Sequence, residues 1–236
     1  RDLDLAESTV KIHVQNIFDT TDPREQRWFH RGANRLHIPT RERIVRRQLL
    51  FGTGEKLSKQ RAEETERILR TRGYLNDAWV VPTRYDAAAN VVVLSVTVRD
   101  VWTLNPGVSF SRSGGENASG FEIEEKNLLG FGIETSIGRS RDVDSWSDPN
   151  VLGSWWQLDL DYLDNSDGEV VAASVQRPFY SLDTRAAYGA SGYDGTSLVS
   201  RYDRGAIVDQ FAQDARRAQV YVGRSAGLRD GWTQRW

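Results

Sequence analysis

Residues 156–162 read WQLDLDY, so that Trp156, Leu158, Leu160 and Tyr162 alternate without a break with Gln157, Asp159 and Asp161. Extended backbone sends successive side chains to opposite sides, so this stretch is a strand with one apolar face and one polar, acidic face. The same period recurs before it. Val108 and Phe110 alternate with Ser109 and Ser111, Phe121 and Ile123 with Glu122 and Glu124, and Phe131, Ile133, Thr135 and Ile137 with Gly132, Glu134, Ser136 and Gly138. Turn signals separate such segments at Ser113-Gly114-Gly115, Ser147-Asp148-Pro149-Asn150, Asn165-Ser166-Asp167-Gly168 and Tyr193-Asp194-Gly195. The pattern predicts about eight strands of ~10 residues beyond residue 100, a length that crosses a bilayer when tilted.

Two architectures carry such alternation. A soluble β-sandwich hides its apolar faces between two sheets, whereas a transmembrane β-barrel turns them to lipid. The polar faces here include Asp159, Asp161, Arg177, Asp183 and Arg185, and aromatic residues gather near segment ends at Trp155, Tyr162, Phe179, Tyr180, Trp232 and Trp236. A charged lumen and aromatic girdles describe an outer-membrane barrel. The mean hydropathy of -0.56 does not separate the two, because alternating strands average out.

Upstream of residue 100 the texture is mixed. Val10, Ile12 and Val14 alternate with Lys11, His13 and Gln15, which predicts a first strand over 9–18. Asp22 and Pro23 supply an N-cap and a first helical position for a helix to about residue 36. A second helical run is expected over 40–50, stopped by Gly52 and Gly54, and a third after Ser58, ending at Gly73, with Ala62, Thr65, Ile68 and Leu69 on one side. A short strand around 78–81 is expected to be interrupted by Pro82, which marks a sheet edge. The apolar, β-branched run 91–98 then forms the strand buried against the helices. Strand, helices, strand, strand describes a small α+β unit with helices on one face of the sheet.

Composition excludes several functions. Thirty-one basic against 33 acidic residues leave a net charge of -2 and no basic excess for nucleic acid. The absence of cysteine rules out disulfides, thiol catalysis and thiolate metal sites, and is compatible with cytosol and periplasm alike. No apolar run approaches the ~20 residues of a spanning helix. The chain opens on Arg1-Asp2-Leu3-Asp4, without initiator methionine or signal peptide, which is expected of a mature chain or a piece of one.

Catalytic chemistry finds little support. His30 and His37 lie seven apart on one helix, but 36–39 reads as that helix's end, and His13 stands alone; surface or capping roles outweigh a metal site. Ser191 and Ser200 have no neighbouring histidine. Gly130-Phe131-Gly132 leads into a strand and not into the helix a nucleotide loop needs. Glu122, Glu124 and Glu125 read as solvent- or lumen-facing charge, and Arg41, Arg43, Arg46 and Arg47 as a solvated helix face. The reading is a non-enzyme without cofactor.

Four motifs in order carry a resemblance. LRTRGYLNDAWVVP at 69–82, VTVRDVWTLNPGVSFSRSGG at 96–115, GFEIEEKNLLGFG at 120–132 and RPFYSLDTRAAYG at 177–189 resemble the BamA/TamA-like surface-antigen superfamily of bacterial outer-membrane proteins. The resemblance implies an α+β POTRA-like periplasmic domain over 1–100, from which the extra helical region at 24–50, longer than the usual first helix, is a departure, and the N-terminal portion of an antiparallel, sixteen-stranded transmembrane β-barrel over 101–236. It implies protein insertion or translocation at the outer membrane, with the N-terminal domain in the periplasm. Outer-membrane lipids, unfolded outer-membrane or secreted clients, and periplasmic or lipoprotein partners follow from it; no nucleic acid does. Two further departures stand out. The chain holds about half the strands such a barrel needs, which leads us to expect a longer protein, and Arg204-Gly205-Ala206 lacks the aromatic of the family's Arg-Gly-aromatic loop.

Three groups of residues follow as sites. An edge strand at Ala78, Trp79, Val80, Val81 and Thr83 could add a client strand through its backbone, although Pro82 and Arg84 would also protect that edge. Thr103, Leu104, Pro106, Gly107, Val108 and Phe110 resemble the family's gate strand, where proline lacks a donor and glycine lacks a packing side chain. Asp100, Val101 and Trp102 join the two domains, so movement of the soluble unit is expected to be felt at the gate. A passive pore or scaffold with an interaction module, and a soluble periplasmic β-sandwich binding protein, are the alternatives.

Overall fold

The computed structural model describes residues 7–56, 58–113, 116–139, 144–165 and 167–236. The expected opening at 1–4, the turn residues Gly114 and Gly115, and Ser166 lie outside them. The chain divides into two compact units, one of Arg1–Thr103 with Lys126–Gly132, the other of Leu104–Glu125 with Ile133–Trp236.

Unit 1 begins with β1 (Ser8–Gln15), followed by a 3-10 turn at Pro23–Glu25 and by helices α1 (Trp28–Leu36), α2 (Glu42–Arg46) and α3 (Lys59–Arg70). Then come β2 (Leu75–Asp86) and β3 (Val91–Asp100). The sheet order is β1-β3-β2, with β1 parallel and β2 antiparallel to the central β3. Burial alternates strictly along β3, where Val92, Leu94, Val96 and Val98 are buried. They meet Ile44 and Val45 of α2, Leu69 of α3 and Val10 of β1 in one core, each such side chain contributing about 1.5–3 kcal/mol. Glu64, Thr65, Ile68 and Leu69 are the buried residues of α3, and the Ser58 hydroxyl caps it by accepting from the Arg61 N–H.

The helical region differs from expectation in two places. Asp22 does cap the chain at 23, accepting the Arg24 N–H at 2.9 Å, but only a 3-10 turn follows, and Arg27 is extended before α1 starts. Glu25 explains the break, since its carboxylate is drawn away to Arg99 at 2.7 Å and the Asp19 N–H at 2.5 Å. The run expected over 40–50 is helical only through Arg46. Gln48, fully buried, turns its amide to the Tyr74 hydroxyl and accepts from Arg72 Nε, which ends the helix in favour of the core.

β2 also runs on through Pro82, where a break was expected, with a register shift between Pro82 and Arg84. The strand is a sheet edge, so a residue without a donor is tolerated there.

The described residues of unit 2 form one open antiparallel sheet of nine strands. In chain order they are β4 (Leu104–Ser113), β5 (Glu116–Glu125), β6 (Glu134–Arg139), β7 (Asp144–Asp148), β8 (Gln157–Asn165), β9 (Gly168–Arg177), β10 (Ala186–Asp203), β11 (Ala206–Arg229) and β12 (Trp232–Arg235). Each pairs with its neighbours in sequence, which leaves β4 and β12 as the edges. The expected uniform length does not hold, because β10 and β11 have 18 and 24 residues. Tyr193-Asp194-Gly195 is not a turn: it lies inside β10, paired with Arg217, Arg216 and Ala215. The turn falls instead at Arg204 and Gly205, with φ of 48° and 85°, the two positive values that a two-residue hairpin turn requires.

Candidate functional site

Registers carry one face of unit 2 across the sheet. Leu158, Leu160 and Tyr162 of β8 stand opposite Val175, Ala173 and Val171 of β9. The row continues through Ala190 of β10 to Val220 of β11, and, on the other side, through Trp146 of β7 and Thr135 of β6 to β5. On β5 and β4, Phe121 faces Val108 and Ile123 faces Pro106. This apolar face is the exposed one: Val108 is 77% exposed, Phe110 82% and Val220 77%. On β9 the alternation is complete, with Val171, Ala173 and Val175 exposed and Ala172, Ser174 and Gln176 half-buried. On β5, β8 and β9 the sheet is inverted relative to a water-soluble protein, whereas β4 and most of β10 and β11 are exposed on both faces.

The shielded face is polar and bonded from strand to strand. Asp159 accepts from the hydroxyls of Ser147 at 2.7 Å and Ser174 at 2.8 Å, one on each flanking strand. Glu122 accepts from the Ser136 hydroxyl at 2.5 Å and Glu124 from the Asn105 amide at 3.0 Å. Tyr221 donates to Gln176 at 3.2 Å.

The expected gate residues sit at the first edge of this sheet, with one exception. Thr103 is buried in unit 1, where its carbonyl accepts the Lys126 N–H at 3.2 Å, and the strand begins at Leu104. Leu104, Pro106, Val108 and Phe110 share the apolar face, and Gly107 lies opposite Glu122. A Cβ on Gly107 would meet Glu122 at an ordinary 3.7 Å, so steric room does not require glycine there.

Along the outer edge of β2 the backbone donors are already engaged. The Val80 N–H donates to Glu66 Oε2 at 3.1 Å, the Ala78 N–H to Asp77 Oδ1 at 2.7 Å, and Pro82 has none. These alternate positions are the ones turned away from β3 in an antiparallel pair. Arg70 holds both acids, Glu66 at 2.5 Å and Asp77 at 2.6 Å; the Asp77 bond raises its pKa and holds that of Asp77 below the usual carboxylate range. Ala78 is fully buried, Val80 half-buried, Trp79 and Val81 are exposed, and the Thr83 hydroxyl donates inward to the Val93 carbonyl at 3.2 Å. The edge is therefore occupied by the unit's own side chains along 78–82.

Asp100 is a site residue for a reason the motif did not reveal. Its side chain is buried, and Oδ2 accepts both the His37 ring at 2.8 Å and the Thr40 N–H at 2.7 Å. The Thr40 hydroxyl accepts the Asn127 amide at 2.9 Å, and Asn127 Oδ1 accepts the Gly132 N–H at 2.7 Å. Around this chain, the Arg41 N–H donates to the Gly130 carbonyl at 3.0 Å, and the guanidinium lies 4.0 Å from the Phe131 ring centre. The Val101 N–H donates to the Tyr74 carbonyl at 3.2 Å, and Trp102 is exposed. Burial lowers the pKa of Arg72, which reaches the core through Gln48. Among the described residues no three His, Asp or Glu side chains gather as metal ligands.

No family model matches the chain, and no curated protein matches it significantly. Among solved structures, BamA from Haemophilus ducreyi lacking POTRA domains 1–3 matches over 93% of this chain and 45% of its own length, at 14% identity and a TM-score of 0.43. CdiB from Acinetobacter baumannii matches over 97% of this chain and 35% of its own length, at 13% identity and a TM-score of 0.43. The chain spans less than half the length of either structure, and likeness at this level does not bear on what it does.

Proposed function

We propose that this chain is the periplasmic unit and first membrane strands of an outer-membrane protein assembly or translocation factor. The observation that carries the proposal is the inversion on β5, β8 and β9, where the apolar Phe121, Ile123, Leu160, Tyr162, Val171 and Val175 are exposed while Glu122, Glu124, Asp159, Asp161 and Ser174 on the other face are half-buried. In water such a face is a large exposed apolar patch of the kind soluble monomers avoid; in lipid it is satisfied, and the serine–carboxylate ladder faces an aqueous lumen. A soluble sandwich would need a second sheet against that face, and the described residues of unit 2 form a single one.

Within that reading β4 is the working element. As an edge strand it offers a row of backbone donors and acceptors to an incoming strand. Pro106 supplies no donor and Gly107 no packing side chain, so any seam formed along β4 is weaker there and opens sideways with less loss. A client strand with the same apolar–polar period would pair with β4 and place its apolar face in lipid. The free energy would come from client folding and insertion, without nucleotide or cofactor. Unit 1, with its β-α-α-α-β-β order, serves as a POTRA-like interaction module in the periplasm. Client guidance along β2 would require the Glu66–Arg70–Asp77 group to release its edge. The acidic lumen face supports a second reading, a passive pore with unit 1 as its docking module.

A photo-crosslinking residue at Ser109 of β4 and another at Ser174 of β9, each in the full-length protein, separate the two. Insertion through β4 gives client adducts at 109 during assembly and none at 174. Equal adducts at both positions, or none at either while insertion proceeds, would rule out the gate.

A further inference from the structure

Helix α1 repeats in unit 1 the inversion seen in unit 2. It is fixed to its unit by its polar side. The Asn34 side chain accepts the Phe18 N–H at 3.0 Å and donates to the Phe18 carbonyl at 2.8 Å, and the His30 ring lies 4.2 Å from that of Phe18. The opposite side is apolar and open, with Trp28 79% and Leu36 76% exposed, and none of the nine residues of the helix is buried. A Cβ on Gly32, midway between them, would meet nothing within 4 Å.

At 3.6 residues per turn, Trp28, Gly32 and Leu36 form one stripe along the helix, and Arg27, Arg31 and Arg35 form another about 100° around it. None of these three arginines has an acidic partner among the described residues. A helix that carries aromatic and aliphatic side chains beside a cationic stripe is shaped for a bilayer surface. The apolar side chains sink below the headgroups while the long guanidinium stems reach up to the phosphates. The charge pattern selects the occupant, because three neighbouring cations without acids match a layer of anionic phosphates.

We propose that α1 is an in-plane membrane-interface helix that binds anionic phospholipid through Arg27, Arg31 and Arg35 and inserts Trp28 and Leu36. This rests on the reading that unit 2 lies in a bilayer. It assigns the extra helical region of unit 1 a function of its own, that of a second, surface anchor.

The chain has no cysteine, so single spin labels are unambiguous. Labels at Trp28→Cys and Leu36→Cys, with Leu160→Cys on β8 as reference, are placed in the full chain reconstituted into vesicles of phosphatidylcholine with or without phosphatidylglycerol. All three labels should be relaxed by lipid-dissolved oxygen and not by an aqueous nickel chelate. The signal at 28 and 36 should depend on phosphatidylglycerol, with Arg31→Gln or Arg35→Gln each lowering their lipid-exposed fraction about fivefold. Labels at 28 and 36 that stay aqueous while 160 is in lipid would overturn the inference and leave the membrane reading intact. Dipolar broadening between copies at 28 would overturn it in favour of a dimer contact. An aqueous label at 160 would remove the membrane reading and the inference with it.

Discussion

The Val80 N–H donates to the Glu66 carboxylate at 3.1 Å, and this bond closes the one outward donor near the middle of β2 that proline and Asp77 do not account for. A sheet edge for which sequence offers only Pro82 and Arg84 as protection is thus also guarded by a side chain from α3, a common defence against unwanted strand addition. Glu66→Ala should leave the donor free at a loss of about 1 kcal/mol. Strand addition should then rise, read as capture of an extended peptide by a thiol-reactive label at Trp79→Cys. Unchanged capture would mean that Glu66 does not guard the edge.

The bond between His37 and Asp100 ties the end of β3 to the loop before α2. Asp100→Ala strands the buried Thr40 N–H and should cost about 3 kcal/mol, whereas Asp100→Asn keeps an acceptor and should cost less. Hydrogen exchange at Val96 and Val98 in the central strand reads both. Equal protection in the two variants would show that the carboxylate is not what holds this end of the unit.

Two glycines should respond oppositely to alanine. Gly130 has φ of 76°, and a Cβ there would lie 2.4 Å from the Pro39 carbonyl oxygen, so Gly130→Ala should cost about 2–4 kcal/mol and expose 126–132 to protease. Gly107→Ala meets only ordinary contacts and should stabilise β4 by about 0.5 kcal/mol. If β4 is a gate, the same change should slow client insertion without unfolding the sheet.

Acid should loosen the turn before α1. Hydrogen bonds from Arg24 lower the Asp22 pKa from 3.8 to about 2, those from Arg99 lower that of Glu25, and those from Thr21 lower that of Asp19. Folded values below the unfolded ones mean that the stabilisation is complete above the ordinary carboxylate range and is lost as pH falls from about 4 toward 2. Amide exchange at Arg24 and Glu25 should accelerate across that window while exchange in the core of α3 stays unchanged.

The elements legible from sequence are those specified by local chemistry. Ser58 capping α3, the period along β8 and the apolar run of β3 each state their structure within a few residues. What escaped was decided at a distance. Asp194 and Gly195 form a strong turn pair, but Val171 and Val170 on one side and Arg216 and Ala215 on the other hold them extended within β10. The run from 40 to 50 has helical spacing, but Gln48 is drawn to Tyr74 and Arg72, more than twenty residues on. His37 and Asp100 are 63 residues apart, and Thr40 and Asn127 are 87 apart, so nothing local marks either pair. The protected state of β2 depends on Glu66 of a neighbouring helix, which a reading of Pro82 alone could not name.

If the sheet of unit 2 is turned outward to lipid, a cysteine scan of β8 in the full-length protein in vesicles reads that orientation residue by residue. Single cysteines at positions 157 to 162 are exposed in turn to a membrane-soluble and to a membrane-impermeant maleimide. The expected result has period two: 158, 160 and 162 react only with the lipid-phase reagent, while 157, 159 and 161 react only with the aqueous one. Reaction of all six with the aqueous reagent, or loss of the period, would contradict a membrane-spanning sheet.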